Sequence, residues 1–352
     1  MIEFRSEPLV ARFLRPGGQE LCEAVNEVRW DPLTGRTMRI TAPGRPVTRP
    51  PATPEAIPET VLDRDNCPFC KDLAEVTPGI RPTLQSPRAL KSGEATLFPN
   101  LYPYGTNSAV ICLTREHHVP IQRFSRAQLR NGLAVARDYV AKVQAAEPEA
   151  RYVNITWNLL PPSGGTLIHP HFQVNADHIP VNRLREDLTA SARFKERTGS
   201  DYWRALIATE RRLGTRFLAD IGQSAWLVPF APRGQMEVWG ILPHRTKVAD
   251  LTGAEMDSLA EGLQNILNGY ARIGINSLNF AIETDESPPE LLPVRLRVVA
   301  RSIFRAWYRS DQTHFTVVLD EFTTIRAPEM TAANLRSDFD APAGLEPERA
   351  RA

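Results

Sequence analysis

The stretch Leu167-Ile-His169-Pro-His171-Phe-Gln173-Val174 places two histidines and a glutamine on alternate residues of a short apolar run. Alternate side chains of an extended strand share a face. His169, His171 and Gln173 are therefore expected on one side, with Ile168, Phe172 and Val174 turned into a core. Pro170 brings no N–H, which predicts an edge or the end of the strand. Three polar groups on one strand face are hard to justify as packing. Just upstream, Asn158-Leu-Leu-Pro-Pro-Ser163-Gly164-Gly165-Thr166 supplies small residues whose backbone N–H groups can line an anion. A histidine pair beside an anion-binding turn points to phosphate chemistry.

At 352 residues the chain is long for one ordinary core, so two domains are expected. Its 42% apolar content and net charge of +1 describe a soluble globular protein. No run of 18 apolar residues exists, which argues against a membrane span. The opening Met1-Ile-Glu-Phe-Arg-Ser-Glu lacks the apolar core of a secretory signal, so a cytoplasmic location is expected. Arg and Lys are scattered among acids, which argues against a nucleic-acid partner. Four cysteines in so long a chain make no disulfide framework. Cys112, inside Ala109-Val-Ile-Cys-Leu, reads as a buried thiol. Residues 43–58 are rich in Pro and Arg and read as an extended connector whose Arg45 and Arg49 are solvated. A flexible tail is expected over 337–352.

Two segments repeat one plan. Val110-Ile-Cys-Leu-Thr-Arg-Glu-His117-His118 and Val238-Trp-Gly-Ile-Leu-Pro-His244 are strand-like runs ending near a histidine. Eight residues after His117 and after His244 stand the helix starts Ser125-x-x-Gln128 and Thr252-x-x-Glu255. Apolar residues then follow at helical spacing: Leu129, Leu133, Ala136, Val140 and Val143 in one, Met256, Leu259, Leu263, Ile266 and Tyr270 in the other. Strand-like stretches come next, at 152–157 and 167–174, and at 277–282 and 294–302. The fold class expected is α+β, built of two repeats, each a mainly antiparallel sheet with packed helices. A first half over 1–185 would carry the chemistry, and a degenerate second half over 186–336 would be scaffold or substrate wall. In that second copy Val299 and Arg301 stand where the histidines would fall.

Cys67-Pro-Phe-Cys70 is a knuckle whose two thiolates suit one tetrahedral zinc. With no second Cys-x-x-Cys, histidines must complete the site; His169 and either His117 or His118 are the candidates. Such a four-ligand site would be structural and would pin the Cys loop to the histidine strand. Glu283, Asp285 and Glu286, beside Pro288-Pro289, read as a solvated turn rather than acid–base groups. His178 and His244 read as structural or surface residues, and Trp226, Trp239 and Trp307 as packing.

Together these pieces resemble the galactose-1-phosphate uridylyltransferase family, a branch of the histidine-triad superfamily. The resemblance runs through Arg29-Trp-Asp-Pro-Leu-Thr-Gly35, Cys67-Pro-Phe-Cys70, Phe98-Pro-Asn100, Val110-Ile-Cys with His117, Asn158, Gly164-Gly165-Thr166, His169-Pro-His171-Phe-Gln173, Val228-Pro-Phe and Leu242-Pro-His244. It implies that His171 is the nucleophile and that Gln173 bonds the phosphoryl oxygens. It also implies that Asn158, Ser163, Gly164, Gly165 and Thr166 line the phosphates, and that Asn100 sits near the base. Cys67, Cys70, His117 and His169 would hold a structural Zn²⁺, the register to Cys112 and Ser125 favouring His117 over His118. The implied partners are a nucleotide sugar and a sugar 1-phosphate or phosphate, and the implied assembly is a homodimer.

The implied chemistry is exchange of a nucleoside monophosphate, UMP first among them, through a covalent nucleotidyl-histidine in two in-line steps. A phosphorylase that uses inorganic phosphate on ADP-sugars or dinucleoside polyphosphates, and a non-catalytic nucleotide sensor, are the alternatives. Glu186 falls where some relatives place a glutamate on a second metal, but the matching histidines are absent and no second metal is expected. His314, Leu319 and Arg326 differ from the family's hexose contacts, so the acceptor is expected to differ as well.

Overall fold

The structure, a computed structural model, describes residues 2–14, 17–41, 63–305 and 310–340. The Pro-rich connector with Arg45 and Arg49, the indole of Trp307 and the chain from 341 onward lie outside the described residues. A small sheet takes β1 (Ser6–Leu14), β2 (Leu21–Trp30), β3 (Thr37–Ile40) and, from the far end of the chain, β14 (Phe322–Thr324). A large sheet takes β4 (Leu90–Ser92), β5 (Ala95–Pro99), β6 (Asn107–Cys112), β7 (Tyr152–Leu159) and β8 (His171–Asp177) from the first repeat. The second repeat adds β9 (Phe217–Ile221), β10 (Ser224–Leu227), β11 (Val238–Leu242), β12 (Leu278–Asp285) and β13 (Val294–Ala300). The helices are α1 (Leu73–Val76), α2 (Arg126–Ala146), α3 (Asn182–Thr198), α4 (Tyr202–Leu213), α5 (Gly253–Arg272), α6 (His314–Val317) and α7 (Pro328–Asp340).

The large sheet runs β4-β5-β6-β8-β7-β12-β13-β11-β10-β9, with every neighbouring pair antiparallel. Read from either end the order is the same, so the duplicated plan is realised as a palindrome. The α+β class with antiparallel strands and packed helices is as expected, and the strands of the two repeats join edge to edge at β7 and β12. These two pair from Tyr152–Asp285 to Leu159–Leu278, and the pairing leaves neither strand as an exposed edge.

Ser125 and Thr252 start the two long helices with complete capping boxes, each hydroxyl accepting from the N–H three residues on. α2 and α5 lie on the same face of the sheet, and one core takes residues from both repeats. The shared sheet offers both helices a continuous apolar face, while separate smaller clusters pack beneath α3 and α4 and around Met38. Each helix approaches closely at a glycine. A Cβ on Gly132 would lie 2.6–2.8 Å from Leu113 and Phe172, and one on Gly262 2.0–2.5 Å from the Trp226 indole.

The opposite face differs between the repeats. In the second, α3 and α4 cover it with Leu184, Phe194, Trp203 and Leu206, packed on Leu227, Trp239 and Ile241. In the first, Val153, Ile155, Trp157, Phe172 and Val174 enter the core. Strand alternation then turns Asn154, Thr156, Asn158, His171, Gln173 and Asn175 to the other side.

The opening residues, expected with the first half, pack instead with second-half elements. β3 pairs with β14 in parallel, Met38 joins Phe230 and Phe322, and Arg29 bonds Glu329. Of the tail expected to be flexible, residues 337–340 are instead helical: α7 continues to Asp340 with Phe339 in the core, and the remainder lies outside the described residues. Glu283, Asp285 and Glu286 are buried, not solvated. Glu283 pairs with Arg297 and Asp285 with Arg151, while Glu286 accepts the N–H groups of Val248 and Ala249. Trp226 and Trp239 are packed as expected. His178 is exposed beside Asp177.

Candidate active site and metal cluster

Pro68 starts a 3-10 turn over Pro68–Cys70 that turns both thiols of the knuckle to one side. Two histidines from separate parts of the first repeat meet them there. His117 Nδ1 lies 3.3 Å from Cys70 Sγ, and His169 Nδ1 lies 3.5 Å from Cys70 Sγ and 3.7 Å from Cys67 Sγ. The four donor atoms all fall within 4.8 Å of one another. Bonds of about 2.3 Å to sulfur and 2.0–2.1 Å to nitrogen separate tetrahedral neighbours by roughly 3.3–3.8 Å, so this donor set fits one small metal ion. Among the described residues, His117 and not His118 faces the thiols.

His169 is held ready for a metal. Its Nε2 lies 2.8 Å from the carbonyl of Thr114, an acceptor only, so Nε2 carries the hydrogen and Nδ1 keeps its lone pair for the cluster. Cys112 lies beside the same Nε2 at 3.2 Å and bonds the same carbonyl. Burial pushes its thiol up to about 12, which makes it an inert buried thiol as expected. Burial lowers His169 to about 4 and raises the Cys67 thiol. The imidazole is thus already neutral as a metal ligand must be, whereas the thiol would ionise on binding.

The histidine strand is shorter than expected. β8 begins at His171, and residues 167–170 approach it as irregular chain. The break falls at Pro170, which cannot donate to the ladder. The two imidazoles still face one neighbour: Phe69 of the knuckle meets His169 and His171 edge-on at 5.8 and 5.5 Å. Phe69 also packs on Phe98 and into the small cluster of Phe98, Val110 and Cys112. The knuckle therefore builds a small local core, and Phe69, which lies against both candidate imidazoles, is a residue that sequence reading passed over.

His171 Nδ1 lies 2.8 Å from the carbonyl of His169. That carbonyl can only accept, so Nδ1 carries the hydrogen and Nε2 keeps a free lone pair. Burial lowers its pKa, which favours the neutral imidazole. Gln173 stands two residues on, on the same face and half-buried, paired in register with Thr156.

The other expected residues lie at Asn158 near the end of β7, in the turn that follows it, and just after β5. Ser163 is buried and donates its hydroxyl to Leu160, so its side chain serves the turn and is not a free donor. Gly164 has φ +89°. A Cβ on Gly165 would lie 2.9 Å from the carbonyl of Asn158 and 3.2 Å from that of Leu160, so only glycine fits there. Thr166 is exposed. Asn158 accepts at Oδ1 from Asn279 across the seam between repeats. Asn100 stands at the end of β5, its Oδ1 accepting from the Tyr102 N–H. Asn279 was given no role by the sequence; its signal appears only once β7 and β12 are paired.

The face of β13 expected to lack histidine carries Arg295, Arg297 and Val299, with Arg301 just beyond its end, and the three arginines pair with Asp187, Glu283 and Asp311 respectively. Glu186 is bonded to Arg233 at 2.7 Å. Of the positions that differ from the family's hexose contacts, Leu319 is exposed, and Arg326 bonds the sulfur of Met236.

No family model matches the chain. The fold is that of the galactose-1-phosphate uridylyltransferase family, as the sequence resemblance implies. It is similar to an ADP-glucose phosphorylase from Arabidopsis thaliana crystallised with ADP-glucose, at TM-score 0.69 and 16% identity, covering 88% of this chain and 98% of that one. It is also similar to a uridylyltransferase, at TM-score 0.63 and 20% identity over 89% of this chain and 98% of that one. Within that fold class, the chain belongs to one family with an uncharacterized protein from Archaeoglobus fulgidus. The two are 32% identical over 336 residues, which span 95% of this chain and 98% of that protein.

Proposed function

We propose that this protein transfers a nucleoside monophosphate between phosphate compounds through a covalent bond to His171. The observation that carries the reading is the hydrogen bond from His171 Nδ1 to the His169 carbonyl, which leaves Nε2 as an unprotonated nucleophile. Nε2 attacks the α-phosphorus of a nucleotide sugar. The bond to the sugar 1-phosphate oxygen breaks, and sugar 1-phosphate leaves with that electron pair. Positive charge gathers on the imidazole and is shared with the His169 carbonyl. A phosphate oxygen of the acceptor then attacks the same phosphorus, the N–P bond breaks, and neutral imidazole returns.

Gln173, Asn158 and the backbone of residues 163–166 would hold the equatorial phosphoryl oxygens. A carboxamide suits position 173, because it donates hydrogen bonds without giving a proton to the leaving group. Zinc is the metal proposed for Cys67, Cys70, His117 and His169. It would take no part in bond making: with all four positions filled by protein it fixes the knuckle, and with it Phe69, against the strand that carries His171.

The leading acceptor is a sugar 1-phosphate and the leading donor a UDP-sugar. A phosphorylase using inorganic phosphate is the second reading, favoured by the altered residues Leu319 and Arg326 and by the likeness to the ADP-glucose phosphorylase. Both predict ping-pong kinetics with parallel double-reciprocal lines. Radiolabel from a UDP- or ADP-sugar should reach glucose 1-phosphate in the first reading, and inorganic phosphate in the second. Transfer that requires both substrates bound at once would overturn either.

A further inference from the structure

We propose that Asn279 and Arg301, both from the second repeat, are positioning residues that fix which way the Asn158 amide points. The proposal rests on the nucleotidyl-transfer reading of the site. Asn158 and Asn279 face each other across the central β7–β12 pairing. Asn279 Nδ2 lies 2.6 Å from Asn158 Oδ1 and 2.9 Å from the carbonyl of Ser163. Arg301 Nη1 lies 2.6 Å from Asn279 Oδ1, and its other two nitrogens grip both oxygens of Asp311 at 2.6 and 2.9 Å.

The polarity of this chain of bonds is set at its head. A guanidinium has donors and no acceptor, so Asn279 must turn its oxygen to Arg301. Its two amide hydrogens then point to Asn158 Oδ1 and to the Ser163 carbonyl, and both of those atoms accept. With its oxygen engaged, Asn158 has only N–H groups left to present elsewhere. An isolated asparagine could offer either end. Toward a phosphoryl group whose oxygens gain charge, an N–H stabilises and a carbonyl oxygen repels. The bond to Ser163 ties the start of the Ser163–Thr166 turn to the same amide. The repeat that lost its histidines thus still serves the chemistry, because it pre-orients a donor in the repeat that retained them.

The test compares Asn279→Asp with Asn279→Ala in single-turnover formation of the nucleotidyl-protein from a UDP- or ADP-sugar. Rate constant and half-saturating concentration are read separately, and thermal midpoints are measured in parallel. N279D still accepts from Arg301 but presents only acceptors to Asn158, so the Asn158 amide reverses and offers its oxygen to the phosphoryl group. Its rate should fall on the order of 100-fold, the usual loss for a charge-stabilising donor, with little change in half-saturation. N279A leaves Asn158 free to turn and should lose about tenfold. Both variants leave the Ser163 carbonyl without its donor, so a purely structural role predicts equal losses.

An N279D rate equal to or above that of N279A overturns the positioning role while the transfer reading stands. Should N279D not fold, R301Q removes the donor-only head of the chain of bonds and should lose about tenfold; an unchanged rate overturns the proposal. A wild-type protein that forms no adduct overturns the transfer reading, and this proposal with it.

Discussion

Gly165 sits where a single added carbon would meet two backbone oxygens of its own turn, and those oxygens belong to Asn158 and Leu160. Neither can move without shifting the end of β7. Gly165→Ala should therefore destabilise the protein by about 1–3 kcal/mol in urea unfolding and slow nucleotidylation at least tenfold. An unaltered rate would remove the turn from the phosphate site. Cys67→Ser should lower bound zinc from one per chain, as read by elemental analysis, and should abolish the drop in thermal midpoint that a chelator causes in the wild type. An equal chelator response in both would show that the metal sits elsewhere. At this scale the sequence was most legible where side-chain identity dictates chemistry: thiols three apart, imidazoles two apart, a pair of glycines. It was least legible where a residue acts through a partner. Thr114 contributes a carbonyl that any residue carries, Phe69 looks like filler between cysteines, and Asn279 gains meaning only from a strand pairing.

The elements that announce themselves locally were the ones sequence could place. Ser125 and Thr252 each carry the complementary Gln128 or Glu255 needed for a capping box, so both helix starts follow from four residues. Ser125→Ala and Thr252→Ala should each cost about 1 kcal/mol of stability, measurable as a lower urea midpoint with unchanged slope. Gly262→Ala should cost roughly 1–3 kcal/mol, because the Trp226 indole it would strike is fully buried. A neutral result would mean that α5 can lift from the sheet, contrary to its packing here. The small sheet had no such local signal, since β14 finds β3 from the far end of the chain. The first strand residue of β8 moved to His171 for the reason that Pro170 already contained. The buried acids of β12 were misread as solvent-facing because their arginine partners lie on other segments.

Across the described residues the repeats share one sheet and its largest core, yet their outer faces differ, one carrying polar strand residues and the other a scaffold covered by α3 and α4. The scaffold face holds charges that matter in acid. Burial alone would raise Asp187, but Arg295 and Arg183 more than reverse it and hold the carboxyl low; Arg183 and Arg297 do the same for the buried Glu237. Carboxyls with folded pKa values below their unfolded ones, about 3.9 and 4.3, add stability above those values and lose it as pH falls through the folded ones. In the presence of chelator, so that metal release adds nothing, the thermal midpoint should hold from about pH 8 to 7. It should decline below about pH 6.5, because burial keeps His169 and His171 neutral while the unfolded chain takes up protons. It should fall further below about pH 4 as these ion pairs are lost. A midpoint that rises there would contradict the ion-pair assignment. No helix among the described residues is long and apolar enough to cross a membrane. The most direct test of the whole account is intact mass spectrometry after incubation with UDP-, ADP-, GDP- and TDP-sugars, followed by peptide mapping. The account predicts one added nucleoside monophosphate per chain, located on His171 and absent from His171→Ala. An adduct that persists in that variant, or none with any donor, would contradict it.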